Sequence, residues 1–366
     1  MDILKAGIAA LVASLFCIWL LQPLAMRLGL VDRPTGRKLH EKEVPLIGGI
    51  AMFFGFCFAL LVLSISLKPY RGMLAGSSIL LLMGVVDDFR DLSSKLRLCG
   101  QLLAALLLII WGHVLLSNLG NLFFLGDVIL GMWAIPLTVF VVVAYINAMN
   151  MVDGQDGLAG GVALGQAVLL LMLSLQLRAA VNVRMLIMLI MVLIVFLSFN
   201  MRFPGRKHAH IFMGDAGSTF IAYLLAWFAI DLSQQNVHFL TPMTLLWIMS
   251  FPIFDLVNVT LLRIRQHKSI ITASRDHFHH VLHVAGVNTV LSTVLLCALS
   301  MSLGLIGLIL NHFTMAEGWQ FLFWLLSLGL YIGIVELTRK PLSKPTVMVG
   351  TAVEETESAM NKTQTS

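Results

Sequence analysis

Residues 185–199 read MLIMLIMVLIVFLSF, and none of them carries a charge. A helix of about 20 apolar residues crosses the ~30 Å core of a bilayer. Each backbone N–H and C=O must be satisfied inside such a segment, which favours a helix over an isolated strand. We therefore predict that this stretch is a membrane helix.

The rest of the chain has the same character. Of its 366 residues, 58% are hydrophobic and 12% are charged, and the mean hydropathy is +0.91. A soluble domain carries about 25% charged residues, and a disordered chain is poor in apolar ones, so both classes are excluded. We predict an all-α polytopic membrane protein with about eleven transmembrane helices over residues 3–26, 46–67, 73–86, 98–116, 128–146, 158–177, 185–199, 218–232, 241–262, 290–310 and 321–336.

Most of the 24 lysines and arginines fall in every second connection or in the C-terminal tail. The positive-inside rule puts these connections in the cytoplasm. The N-terminus is then outside and the C-terminus is cytoplasmic. We predict a single integral membrane domain over residues 1–340 with five cytoplasmic loops, followed by a polar, disordered cytoplasmic tail over residues 341–366.

Ionisable residues gather on the same predicted face, which holds eight of the 11 histidines. A transporter places such groups near the middle of the bilayer. Clustering at one interface instead indicates an enzyme that acts on a cytoplasmic substrate and a lipid. A transporter is the alternative from a different functional class.

Three aspartates, Asp87, Asp88 and Asp91, follow the apolar segment 73–86. If helical, Asp87 and Asp91 share a face, where like charges repel unless a cation intervenes. The oxygen ligands of short aspartate side chains suit a Mg²⁺ ion that also binds the phosphates of a substrate. We expect a functional cluster here; the alternative is a solvated helix end.

A second series contains Asn147, Asn150 and Asp153, spaced by three so that they can line one helical face, and then Asp156. Two glycines end the helix and let the backbone approach a ligand. Residues 147–157 contain no lysine or arginine, so we expect a metal or a bound cation as the missing partner. The alternative, a glycine turn with Asn and Asp caps, explains the glycines but not the regular spacing of the Asn and Asp residues.

A third motif, FMGDAGS over residues 212–218, places Asp215 between glycines just before an apolar helix. We expect Asp215 to be a third oxygen ligand on the same face, with Ser218 as a candidate N-cap. The alternative is that Asp215 only caps the helix.

Two further loops are basic. Arg275, His277, His279 and His280 resemble a zinc tract, but no cysteine lies nearby, and they can instead hold a diphosphate or sugar. A solvated basic loop is the alternative. In the first loop, Arg37, Lys38 and His40 can bind a lipid phosphate or anchor to anionic headgroups, and both readings stay open.

Taken in order, these motifs resemble those of the polyprenyl-phosphate N-acetylhexosamine-1-phosphate transferase family. Within this family they are most similar to the motifs of the WecA-type undecaprenyl-phosphate N-acetylglucosaminyl-1-phosphate branch. The resemblance runs from about residue 31 to residue 283. It implies transfer of GlcNAc-1-phosphate from UDP-GlcNAc to undecaprenyl phosphate with release of UMP. It also implies Mg²⁺, with Mn²⁺ as a substitute, in a bacterial inner membrane enzyme whose active site faces the cytoplasm. The product begins O-antigen, enterobacterial common antigen or a related cell-envelope polysaccharide.

The resemblance also implies roles for individual residues. Catalytic work falls to Asp87, Asp88, Asp153 and Asp156, and metal binding to Asp215, Asn150 and Asp91. Substrate binding falls to Arg37, Lys38, His40, Asn147, Arg275, His277, His279 and His280.

The nearest rival is the phospho-MurNAc-pentapeptide transferase branch, which carries three consecutive histidines where this chain has His-Phe-His-His. A prenyl-group transferase would lack the third and fourth motifs. The partners we expect are the two substrates and the bilayer, without nucleic acid. A homodimer is left open.

Overall fold

The computed structural model describes residues 2–32, 43–63, 65–202, 205–206, 208–235, 240–269 and 276–339. The helices in these ranges are α1 (Asp2–Leu28), α2 (Gly48–Val62), α3 (Arg71–Arg90), α4 (Ser94–Ile110), α5 (Ala134–Val152), α6 (Leu158–Gln176), α7 (Ala180–Asn200), α8 (Gly214–Gln235), α9 (Pro242–Ile248), α10 (Ser250–Arg265), α11 (Phe278–Val284), α12 (Thr289–His312) and α13 (Glu317–Arg339). The predicted tail and four predicted substrate-binding residues lie outside the described residues: Arg37, Lys38, His40 and Arg275.

Each of the eleven apolar segments coincides with a helix or a pair of helices. Eight described helices are long and apolar enough to cross a bilayer, or nine spans if the bent pair α9–α10 counts as one. Helices α2 and α4 are shorter, with 15 and 17 residues. The all-α prediction is confirmed for the described residues, whereas the number eleven stays a prediction.

The predicted segment 241–262 forms two helices, α9 and α10, bent by 72°. The break lies at Met249, and Pro252 is the third residue of α10. Proline is tolerated in the first turn, where its missing N–H needs no intrahelical partner, but it clashes with the preceding turn deeper in a helix. An unbroken helix through Pro252 is therefore disfavoured.

Helix α8 lies at the centre of the bundle and is almost entirely buried. It packs against α2, α3, α5, α6 and α9. A Cβ at Gly84 of α3 would overlap the main chain of Ala216, and one at Gly49 of α2 would overlap that of Gly217. Backbone-to-backbone contact thus fixes the first turn of α8 against two neighbouring helices.

The outer helices expose large apolar side chains. Trp19 on α1, Ile110 on α4, Ile309 on α12 and Leu326 on α13 are all more than half exposed. In water such a continuous apolar surface would associate, but in a bilayer it contacts lipid tails. The exposed surface therefore fits a multi-pass membrane protein.

Two short strands, β1 (Val31–Asp32) and β2 (Val44–Pro45), pair antiparallel at the base of the first predicted cytoplasmic loop. The Phe212 N–H donates to the carbonyl of Pro45 at 2.9 Å, and the Gly48 N–H donates to the carbonyl of Phe212 at 2.9 Å. These bonds hold the base of the loop beside the start of α8.

Candidate active site

A cavity of about 520 Å³ lies where the C-terminal ends of α3 and α5 meet the start of α8. Carboxylates from all three acidic motifs line it, together with a carboxylate from the first loop and basic, amide and hydroxyl side chains. These residues are Asp87, Asp88, Asp91, Asp153, Asp156, Asp215, Asp32, Gln155, Asn200, Arg202, His208, His280, His283 and Thr289. Three motifs and part of the fourth therefore meet at one place.

The first motif is held at the end of α3. The buried Asp87 accepts from the Leu92 N–H at 2.6 Å, and its Oδ2 lies 3.2 Å from Nη1 of Arg97. The same guanidinium lies 3.6 Å from Oδ2 of Asp215. The expectation that Asp87 and Asp91 share a helix face is wrong, because α3 ends at Arg90 and Asp91 is left-handed with φ 46°.

Asp88 connects the first motif to the third. Its Oδ1 accepts the main-chain N–H of Asp215 at 2.9 Å. Its Oδ2 is buried and has no hydrogen-bond partner among the described residues. Gly214 has φ +69°, and a Cβ there would lie 2.5 Å from that Oδ2. Both the backbone conformation and the space therefore require glycine before Asp215.

Asn150 of α5 donates from Nδ2 to Asp215 Oδ1 at 2.7 Å and to Ser218 Oγ at 2.9 Å. This fixes the Asp215 side chain in the cavity. The N-cap assignment of Ser218 is wrong, because α8 begins at Gly214 and the Ser218 hydroxyl donates to the Gly214 carbonyl at 3.2 Å, inside the helix.

Asn147 lies on α5 but is not among the residues that line the cavity. Its Nδ2 donates to Gln101 Oε1 of α4 at 2.8 Å and to the Val143 carbonyl at 2.7 Å. In the described residues its side chain joins α5 to α4.

The loop between α5 and α6 carries Asp153 and Asp156. Burial raises the pKa of Asp153 to about 7, and the neighbouring carboxylates of Asp215 and Asp156 add to this rise. Asp156 forms an ion pair with Arg202 Nε at 2.6 Å. The expectation that a metal or a bound cation partners the carboxylates of this loop is therefore wrong for Asp156, because Arg202, two residues after α7, pairs with it.

The predicted histidines divide into two groups. His280 lines the cavity, whereas His277 and His279 are buried beside it. His277 Nδ1 lies 2.7 Å from Asp255 Oδ2. Asp255 Oδ1 also accepts from the Phe278 N–H at 3.1 Å and from the Tyr331 hydroxyl at 2.9 Å. This network fixes the start of α11.

His279 lies in α11 with its Nε2 directed at Gly154. Its pKa is lowered to about 3, chiefly because a buried imidazolium is poorly solvated and in part because of the adjacent His280. His279 is therefore a neutral ring packed behind the glycine loop.

The side chains of the cavity wall that could bind a metal are mostly oxygen ligands. Within the described ranges, no three His, Cys, Asp or Glu side chains are grouped closely enough to hold an ion by themselves. The Arg97 guanidinium, between Asp87 and Asp215, compensates part of the negative charge instead.

Comparison with known proteins agrees with these motifs. Residues 70–233 match glycosyl transferase family 4. The undecaprenyl-phosphate alpha-N-acetylglucosaminyl 1-phosphate transferase of Yersinia pestis is 34% identical over 322 residues, which cover 87% of each chain. The chain belongs to this transferase family. The family and the enzyme class, a glycosyl-1-phosphate transferase, are thus confirmed.

Two other members of the transferase family bear the same name. That of Escherichia coli strain K12 is 32% identical over 311 residues, which cover 84% of each chain. That of Haemophilus influenzae is 33% identical over 311 residues, which cover 83% of this chain and 87% of the relative.

Several residues that line or support this transferase's site were not predicted from the sequence. Arg97 and Arg202 counted only toward membrane orientation, and Asn200, whose Oδ1 accepts the Gly157 N–H at 2.7 Å, lies at the end of an apolar helix. Gln155 lies inside the second motif and His283 lies three residues beyond the fourth, and the sequence assigned no role to either. The cluster of Arg202 with two nearby basic residues after an apolar segment was the one available signal.

Proposed function

We propose that this chain transfers GlcNAc-1-phosphate from UDP-GlcNAc to undecaprenyl phosphate, giving undecaprenyl-diphospho-GlcNAc and UMP. The observation that carries the proposal is the convergence of three carboxylate motifs on one cavity at the start of α8. The names of the relatives supply the substrates.

The residues of this cavity fit Mg²⁺. Asp88 Oδ2 is buried without a hydrogen-bond partner among the described residues, and Asp215, whose main-chain N–H donates to Asp88 Oδ1, lines the same cavity. A buried carboxylate oxygen without compensation is costly, and a hard cation satisfies it. We assign the ion to Asp215 and Asp88, with Asp91 on the same wall and Asn150 orienting Asp215. When bound, Mg²⁺ neutralises the donor diphosphate and the charge on departing UMP.

The reaction joins two anions. An oxygen of the lipid phosphate attacks the sugar-bearing phosphorus, the bond from that phosphorus to UMP breaks, and UMP leaves with the electron pair. The second pKa of a phosphate monoester is near ~6, so the attacking oxygen is largely ionised at neutral pH. We assign positioning of the acceptor to Asp87 and, through the ion that it would bind, to Asp88, and positioning of the nucleotide to Asp153 and Asp156.

Basic side chains on the same wall can hold the phosphates. Arg202 next to Asp156 and His280 on α11 both line the cavity. Arginine and histidine form charge-assisted hydrogen bonds to phosphate oxygens. The neutral ring of His279 packs against His280, with ring centroids 4.2 Å apart, and the buried ring of His277 stacks on His279 at 5.8 Å.

For the membrane arrangement we propose eleven spans, an outer N-terminus and a cavity on the cytoplasmic face of a bacterial inner membrane. The cavity residues Asp32, Asp87, Asp153 and Asn200 stand at the ends of the first, third, fifth and seventh predicted spans, as one shared face requires. Labelling of Lys95→Cys by a membrane-impermeant thiol reagent only in inverted vesicles supports this orientation, and labelling only in right-side-out vesicles contradicts it.

The function is tested with purified protein, undecaprenyl phosphate, Mg²⁺ and a panel of UDP-sugars. We expect release of UMP with UDP-GlcNAc and not with UDP-MurNAc-pentapeptide. Release from the pentapeptide donor alone would assign the chain to the other branch, and no release from any donor would refute the transferase reaction.

A further inference from the structure

A chain of hydrogen bonds on the cavity wall joins α11, the glycine loop and α12. His283, in the last turn of α11, places Nε2 at 2.8 Å from Gln155 Oε1 and Nδ1 at 3.1 Å from the carbonyl oxygen of Val287. Gln155 and His283 both line the cavity. Neither has a role in the proposed reaction so far.

The orientation of the Gln155 amide is fixed by its other partners. The Thr293 hydroxyl donates its only hydrogen to the Asp156 carbonyl at 3.0 Å, so its oxygen accepts from Gln155 Nε2 at 2.6 Å. The same Nε2 lies 3.2 Å from the carbonyl oxygen of Thr289, which can only accept. The amide must therefore present its NH₂ to α12 and its oxygen to His283.

Both nitrogens of His283 consequently face acceptor oxygens. A neutral imidazole has one N–H, so either tautomer would set a lone pair against an oxygen at hydrogen-bond distance. The doubly protonated ring alone satisfies Gln155 and Val287 together. We propose that His283 is held as an imidazolium and gives the cavity wall a fixed positive charge for a substrate phosphate.

The charges around His283 explain why a cation at this position would help to bind a phosphate. On the glycine loop, Asp156 is paired with Arg202, and Asp153 stands two residues before Gln155. On the same helix, His279 is buried and His280 lines the cavity. Thr289 and Thr293 of α12 carry no charge. A positive charge at His283 offsets the repulsion that a phosphate meets from the carboxylates.

The source of the phosphate rests on the proposed function, which offers a nucleotide diphosphate and a lipid phosphate. The protonation state does not depend on it. Nuclear magnetic resonance of the ligand-free full-length protein with labelled histidine tests that state directly, because the His283 signal is the one lost in His283→Gln.

At pH 7 we expect imidazolium shifts for both nitrogens of His283. In Gln155→Leu, which removes the second acceptor, we expect a neutral ring. A neutral His283 in the unaltered protein overturns the proposal, even if no UDP-sugar is turned over.

Kinetics test the use of the charge. His283→Gln should raise one KM roughly tenfold, as expected for one lost charge contact, while kcat stays within about twofold. A rise for UDP-GlcNAc assigns the charge to the diphosphate, and a rise for undecaprenyl phosphate assigns it to the lipid.

The matched control is His312→Gln, at the opposite end of α12, which should leave both KM values unchanged. Unchanged KM values in His283→Gln, or a loss of kcat alone, contradict the proposal. Thermal unfolding of each variant identifies any that fails to fold, and the resonance measurement on the unaltered protein remains decisive in that case.

Discussion

The main-chain N–H of Asp215 donates to Oδ1 of Asp88 at 2.9 Å, although the two residues are 127 positions apart. This bond joins the last turn of α3 to the first turn of α8. It leaves the second oxygen of Asp88 buried and free of hydrogen bonds to the described residues. In the proposed magnesium site, the negative charge of this carboxylate, rather than its shape, would hold the ion.

Replacing Asp88 by asparagine tests this point, because Asn keeps the shape and one acceptor oxygen. We expect Asp88→Asn to lower the rate of UMP release at least ~100-fold, comparable with loss of one electrostatic contact in an active site. The melting temperature in detergent should change little. Asp127→Asn, which alters a hydrogen bond to Asn118 far from the cavity, should keep full activity. A normal rate in Asp88→Asn would remove that carboxylate from the mechanism.

Arg97 compensates Asp87 and Asp215 at 3.2 and 3.6 Å. Its loss leaves two carboxylates that a divalent ion must neutralise alone. We expect Arg97→Gln to reach half-maximal activity at a several-fold lower Mg²⁺ concentration and to be less stable without Mg²⁺. Both are measured by titration of activity and of melting temperature. Lys95→Gln, an exposed cation on the same helix, should leave the Mg²⁺ titration unchanged; equal curves for both variants would contradict the pairing.

Tyr331 of α13 donates to the buried Asp255 at 2.9 Å. Tyr331→Phe removes one hydrogen bond to a buried carboxylate and should lower the free energy of unfolding by about 1.5–3 kcal/mol. Thermal or denaturant unfolding in detergent measures this loss. Because His277 and the Phe278 N–H still hold Asp255, activity at low temperature should persist. Full retention of stability would show that the hydroxyl is not needed there.

His279 gives stability a pH dependence with a definite sign. Its pKa is near 3 in the folded chain against an ordinary 6.5, so the unfolded state binds its proton first. Folding stability should therefore be complete above about pH 6.5 and should fall as the pH drops from there toward 3. Melting at pH 7.5 and pH 5.5 should show a smaller loss in His279→Gln than in the unaltered chain. His267→Gln, in an exposed loop, is the control; a loss identical in all three proteins would contradict the assignment.

The apolar pattern predicted where helices occur but not which of them are long enough to cross the bilayer. Segment 241–262 shows why, because hydrophobicity runs through it while Pro252 requires a new helix. A proline read together with the preceding apolar run was a usable signal. The pairing of β1 and β2 carried no comparable signal, since two residues per strand give no alternation.

The acidic motifs predicted the carboxylates of the site, because apolar neighbours make ionisable residues conspicuous. Their partners were not predictable. Arg97 reaches Asp215 and Arg202 reaches Asp156 across long stretches of sequence, and no local spacing encodes such a contact. For the same reason Asn147, which fits the Asn-x-x-Asn series, lies against Gln101 rather than at the cavity.

The close crossings at Gly49 and Gly84 bear on how such a chain evolves. At these two points no side chain separates the first turn of α8 from α2 or α3, so contact between main chains sets the spacing of the helices there. Lipid-facing residues can then drift through most apolar types without displacing the reactive groups. Mutational tolerance should be widest on the outer helices and narrowest at these two glycines, where even one methyl group must push the helices apart.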